Sequence, residues 1–250
     1  MKKISLKFQL IAFLGLFMLC CAVTAHDVSL IWKSALAVMT CALGDMVAAY
    51  LKTRKRTMPE SALITGFIIG LVLSSASPWF FFVAAGLIAL LSKHLLRIHG
   101  KHIFNPAAFG IFMIVLFCGQ PTAWQGGYLW YILVPAGGYF VWRIRKGAVV
   151  YSYAIAYIIL YGVRAWSGHT SFMNDIVYAN YFFIFIMLIE PKTSPVTRWK
   201  KWFFGAAVCS IAFIFYGMAL PYDALLPALL IGNLFFQLPL IRKEMPWTKK

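Results

Sequence analysis

Asn105 and Pro106 stand together where a basic loop meets an apolar run, in Gly100-Lys101-His102-Ile103-Phe104-Asn105-Pro106-Ala107-Ala108-Phe109-Gly110. Proline at a first helical turn costs little, because its missing N–H had no partner there, and an asparagine before it can cap the free donors. The pair therefore reads as a helix entry. Downstream, Thr193-Ser194-Pro195-Val196-Thr197 lies beside Lys192, Arg198, Lys200 and Lys201. Hydroxyls among cations can hold a phosphate or an acidic partner, and a plain basic loop with a proline turn accounts for the same charges. Asp45 falls inside an apolar run, where an acid is expensive and functional by default. It is an ion-pathway candidate, with a solvated pair to Lys52 or Arg54 as the alternative. Glu190 reads as an interfacial partner of Lys192, and Asp175 and Asp223 as acids at helix starts, where the dipole favours them. His94, His99 and His102 fall within nine positions, but with no carboxylate near and no convergent spacing they read as solvated loop histidines, a proton relay being the lesser reading. The 5 cysteines lie in apolar runs without CxxC or CxH spacing, so they read as small buried hydrophobes rather than metal ligands.

These residues need a scaffold, and composition says which kind. The 250 residues are 62% apolar and only 12% charged, with a mean hydropathy of +0.80. A soluble domain is closer to half apolar and a quarter charged, so this is an integral membrane protein. The net charge of +16 does not point to nucleic acid, because there is too little polar surface for a solvated basic face.

Apolar runs long enough for a membrane recur near 8–25, 29–51, 62–74, 78–96, 106–123, 127–142, 148–166, 174–189, 200–219 and 224–241, which predicts about ten crossings. Lysine and arginine are retained on the cytoplasmic side, and they fill alternate loops. Of the 23, all but Lys33 and Arg164 fall in six such segments: Lys2, Lys3 and Lys7; Lys52 to Arg56; Lys93, Arg97 and Lys101; Arg143, Arg145 and Lys146; Lys192 to Lys201; and Arg242 to Lys250. Both termini are therefore expected in the cytoplasm. Trp79, Trp124, Trp130, Trp142, Trp166, Trp199 and Trp202 fall near helix ends, as an interfacial belt would. Met1-Lys2-Lys3 before an apolar run ending Ala22-Val23-Thr24-Ala25 also fits a cleavable signal peptide.

Ten helices divide into five and five at Gly126-Gly127, giving residues 1–125 and 126–250 as two repeats of one membrane domain. An odd number per half makes the repeats inverted, as in many transporters. The third helix ends in Ser74-Ser75-Ala76-Ser77-Pro78 and the eighth in Glu190-Pro191-Lys192-Thr193-Ser194-Pro195. Paired short, proline-ended segments in equivalent places point to a central site, and the repeat argues that the first helix is kept. A channel or carrier for a small neutral solute, without a cofactor, suits that bare pattern.

The run Gly100 to Gly110, together with Ser61-Ala62-Leu63-Ile64-Thr65-Gly66-Phe67-Ile68-Ile69-Gly70-Leu71 and Glu190-Pro191-Lys192-Thr193-Ser194-Pro195-Val196-Thr197, resembles the NqrB/RnfD family of membrane redox subunits. The resemblance implies an all-α polytopic fold with the same helix count, in the inner membrane. It further implies a flavin, FMN or riboflavin, with electrons relayed in a larger complex and coupling to Na⁺ or H⁺ movement. The chain would then be a redox subunit of a multi-subunit oxidoreductase rather than a complete enzyme. Without a nucleotide-binding glycine loop or cluster motif of its own, it would take electrons from a flavin or iron–sulfur reductase partner. A flavin ring needs an apolar slot with a few donors and acceptors at its edge. Thr65, Gly66, Asn105 and Pro106 are the implied wall, and Ser194 and Thr197 the implied phosphate side. Covalent FMN in the family sits on a Thr of a Ser-Gly-Ala-Thr type motif; Ser167, Gly168 and Thr170 match it. His169 replaces the small residue and the upstream Asp is missing, departures that stand against attachment at Thr170 and leave a polar turn as the alternative.

Overall fold

The computed structural model describes residues 5–54, 58–98, 100–168, 171–177 and 179–244, with side chains as far as 237. Thr170, His169 and His99, and the basic residues Lys2, Lys3, Lys55, Arg56, Lys249 and Lys250, lie outside the described residues, as do the side chains of Arg242 and Lys243.

Among the described residues the chain is helical but for one small hairpin and an isolated bridge, and it packs as two units, Met1–Leu96 with Pro106–Gly126, and Arg97–Asn105 with Gly127–Lys250. The first unit contains α1 (Leu6–Thr24), α2 (Val28–Thr53), α3 (Glu60–Val72), α4 (Trp79–Leu95) and α5 (Pro106–Cys118). The second contains the strands β1 (Arg97–Ile98) and β2 (Lys101–His102), then α6 (Trp130–Ile144) behind a 3₁₀ turn (Gly127–Leu129), α7 (Gly147–Trp166), α8 (Phe172–Val177), a π-helical turn (Phe183–Met187), α9 (Arg198–Gly217) and α10 (Leu225–Glu244). Three of these, α1, α2 and α7, are long and apolar enough to cross a membrane. Local chemistry sets their ends. Ser5 caps α1 by accepting from Phe8 N at 3.2 Å, and Asp27 caps α2 by accepting from Ser29 N at 2.9 Å.

In the first unit α3, one of two 13-residue helices, lies at the centre of the packing. α3 is apolar on every side, and α1, α2, α4 and α5 all pack on it, leaving Ile69, Leu71 and Val72 fully buried. Its 13 residues span roughly 20 Å, short of the hydrocarbon thickness of about 30 Å. Close packing on α2 requires glycine: a Cβ on Gly66 would overlap the Val38 backbone, and one on Gly70 would overlap Ser34. Past its end the backbone is met by the extended segment after α5, with an isolated bridge between Leu73 and Thr122. Gln125 N donates to Leu71 O at 2.7 Å, Ala123 N to Val72 O at 2.9 Å, and Ser74 N to Pro121 O at 3.1 Å. The first two of these bonds satisfy carbonyls that a helix end leaves open.

The second unit departs from expectation at its own short segment. The run expected as one helix over 174–189 is broken into α8 and the π turn. Asn180 stands at the restart: its Oδ1 accepts from Phe183 N at 2.9 Å, as a residue before a new helical segment does. The new segment winds wide, with Leu188 N donating to Phe183 O at 2.9 Å. Phe182, Phe183, Met187 and Leu188 are buried, so here too the short segment forms the core.

Candidate functional site

A polar cluster in the second unit gathers around the Glu190–Pro195 turn that follows the π segment. The hairpin reaches it first. Arg97 pairs with His102 and Ile98 with Lys101, and Gly100 closes the turn at φ +75°, a conformation suited to glycine. The turn delivers His102 into the interior, where it is 3% exposed and Nε2 donates to Glu190 Oε1 at 2.9 Å. The pairing fixes which ring nitrogen carries the proton. Glu190 accepts on its other oxygen from Thr193 Oγ1 at 3.1 Å, and Ser194 Oγ donates to Glu190 O at 2.6 Å. Asn105, buried, donates from Nδ2 to Met187 O at 3.4 Å. From below, the buried Lys146 donates from Nζ to Ser194 O at 3.1 Å and to Pro195 O at 2.7 Å. Burial, with the charges of Lys201 and Lys101 near it, brings the Lys146 ammonium down to about 8, so it is still charged at neutral pH.

Two expectations are corrected here. His102 is not a solvated loop histidine, and Glu190 pairs with His102 rather than Lys192 as expected. Lys146 reads in sequence only as a member of a basic loop; nothing within its own neighbourhood marks it as buried. A third correction falls in the first unit. Asp45 pairs with neither Lys52 nor Arg54; its Oδ1 accepts from Lys93 Nζ at 2.8 Å and His94 Nε2 at 3.1 Å. Both partners lie on α4, opposite Asp45 on α2, so His94 too has a specific partner.

The nominated flavin residues divide between the units. Thr65, Gly66 and Pro106 are buried in the first. Thr65 Oγ1 donates to Ser61 O at 3.0 Å, and Gly66 faces the Val38 backbone. Asn105, Ser194 and Thr197 belong to the second, where Asn105 and Ser194 join the cluster just described. Thr197 is exposed at the start of α9, and its side chain caps no N–H. Among the described residues, no three His, Cys, Asp or Glu side chains converge as a metal site.

A family model described as NQR2, RnfD, RnfE matches residues 2–131, just over half of the chain. The chain belongs to the NQR2, RnfD, RnfE family. Two of its three resembling runs fall inside that match, the one holding Thr65-Gly66 and the one holding Asn105-Pro106. Among relatives, the D subunit of an ion-translocating oxidoreductase complex from Yersinia enterocolitica is 33% identical over 95 residues, 36% of this chain and 27% of the relative. Its namesake from Aliivibrio salmonicida is 35% identical over 96 residues, 36% of this chain and 27% of the relative. That from Shewanella piezotolerans is 36% identical over 85 residues, 31% of this chain and 24% of the relative. The chain thus spans about a quarter of the length of the curated relatives it matches.

Proposed function

We propose that this chain is a membrane subunit of an ion-translocating oxidoreductase complex, relaying electrons through a flavin. Membership of the family, with relatives named as the D subunit of such complexes, is the observation that carries the reading. In this reading the chain crosses the inner membrane about ten times, as two inverted five-helix repeats, 1–125 and 126–250, with both termini in the cytoplasm. Its partners are the other subunits of the complex, a flavin or iron–sulfur reductase among them.

The residues present fit an FMN or riboflavin in part. Thr65 and Ser194 each spend their hydroxyl proton on a backbone carbonyl, which leaves the oxygen as an acceptor, and Thr197 is exposed. We assign contacts in each unit by itself: Thr65 beside Gly66 and Pro106 in the first, and Asn105 with Ser194 and Thr197 in the second. When bound, a flavin accepts and passes on electrons. The chain's own part is to hold the carriers of those contacts still: Glu190 orients Thr193 and Ser194, His102 orients Glu190, and Lys146 fixes the turn from the other side. Asp45, beside Lys93 and His94, is the ion-pathway candidate of the first unit.

Binding is assigned as non-covalent, because His169 stands where the attachment motif has a small residue. Purified protein should carry a flavin that denaturation releases. Fluorescence that stays with the denatured chain and disappears in Thr170→Ala would instead place a covalent flavin on Thr170. A colourless protein that moves a neutral solute into vesicles would overturn the redox reading as a whole.

A further inference from the structure

Each unit ends its short buried segment in backbone carbonyls that point at a lysine. In the first unit Lys33 Nζ, from α2, donates to Ser75 O at 2.6 Å and Ser77 O at 2.9 Å, just past α3 and against Pro78. In the second, Lys146 Nζ, at the start of α7, donates to Ser194 O and Pro195 O, just past the π segment. The two lysines play the same part toward carbonyls, Lys33 from inside α2 and Lys146 from the residue before α7, and they match in position when counted from the helix ends. Lys33 precedes Thr53, the last residue of α2, by as many positions as Lys146 precedes Trp166, the last residue of α7. Among the described residues neither forms an ion pair with a carboxylate. Both ammonium groups therefore answer carbonyl oxygens, and Lys33 Nζ lies in addition over the Trp32 ring, 5.4 Å from its centroid.

Unwound carbonyls at the end of a broken membrane helix are the usual ligands of a small monovalent cation. An ammonium is a compact point charge with three donors, and it can replace such an ion in the same oxygen cage. We propose that Lys33 and Lys146 are equivalent residues of the two units, each a chain-borne cation seated where a mobile monovalent cation would otherwise bind.

Their equivalence rests on the inverted-repeat reading. One residue repeated in two oppositely oriented halves must fall on opposite sides of the membrane. Lys146 lies in a basic inner loop, so Lys33 is expected on the outer side, which accounts for its being one of two exceptions to the charge rule. The seating of each ammonium does not depend on topology. At the Lys146 site, burial and two neighbouring cations oppose the charge, so a free ion would bind weakly there. The covalent stem supplies the high effective concentration that keeps the cage filled.

Lys33→Ala and Lys146→Ala, made in the full chain and purified in detergent, test the seating at each site. Each variant should unfold at a lower temperature than the parent. Propylammonium, which restores the atoms removed, should recover the loss in a saturable way, at higher concentration for Lys146 than for Lys33. Equal 1-propanol, nearly the same shape without the charge, should not, and the parent should respond to neither. Recovery by 1-propanol equal to that by propylammonium, or Lys→Met variants as stable as the parent, would overturn the proposal. If the alanine variants yield no folded protein, arginine and methionine at the same positions decide: folded yield with arginine alone supports it, and equal yields contradict it. Because each site is read separately in detergent, a wrong membrane topology would leave these results unchanged.

Discussion

His102 and Glu190 are 88 positions apart, yet their side chains meet at 2.9 Å, and the turn that carries Thr193 and Ser194 depends on them. Removing one member of a buried hydrogen-bonded pair leaves the other unsatisfied, at a cost of about 1–3 kcal/mol. His102→Ala and Glu190→Ala should each lower thermal stability in that range, and the double variant should cost less than the two together. Strict additivity in chemical or thermal unfolding would show the contact to be energetically idle. Asp45 lends itself to a sharper contrast. Lys93 keeps only 12% of its side chain exposed beside that acid. Asp45→Asn alone should therefore destabilise more than Asp45→Asn with Lys93→Met, because the second change removes the uncompensated charge. At this scale the sequence is legible for residue types and opaque for partners. Asp45, Glu190 and Asn105 stand out as polar groups in apolar runs. Their partners, and the burial of Lys146, arise from contacts some 40 to 90 positions apart, which neither periodicity nor charge counting can see.

Among elements, the helices are the legible part, because an apolar run of this length has few alternatives in a membrane protein. Nine of the ten expected runs hold an α-helix of similar extent among the described residues. The exception, 174–189, fails at Asn180, whose cap looks in sequence like one polar residue in a run of Tyr, Phe and Ile. The hairpin over 97–102 is likewise invisible, because two-residue strands have no period to detect. Helix contact distance makes a separate prediction. Gly66→Ala drives a Cβ into the Val38 backbone, and overpacking of this kind costs about 1–3 kcal/mol. Gly138→Ala in α6 meets nothing within 4 Å and should be neutral or slightly stabilising. Equal effects of the two in thermal unfolding would contradict the close α2–α3 contact.

For the whole molecule, the reading is that of two inverted repeats bearing a flavin in the membrane. Single cysteines placed at Asp27 and at Thr197 should react with an impermeant thiol reagent from opposite sides of the membrane, Thr197 from the cytoplasm. Labelling of both from one side would remove the inverted arrangement. The central claim is that this family member carries electrons, and the visible spectrum of the chain purified from membranes tests it most directly. That spectrum should show the absorption of an oxidised flavin, bleached by a chemical reductant, restored in air and released from the chain on denaturation. A protein that is folded, monodisperse and colourless would contradict it.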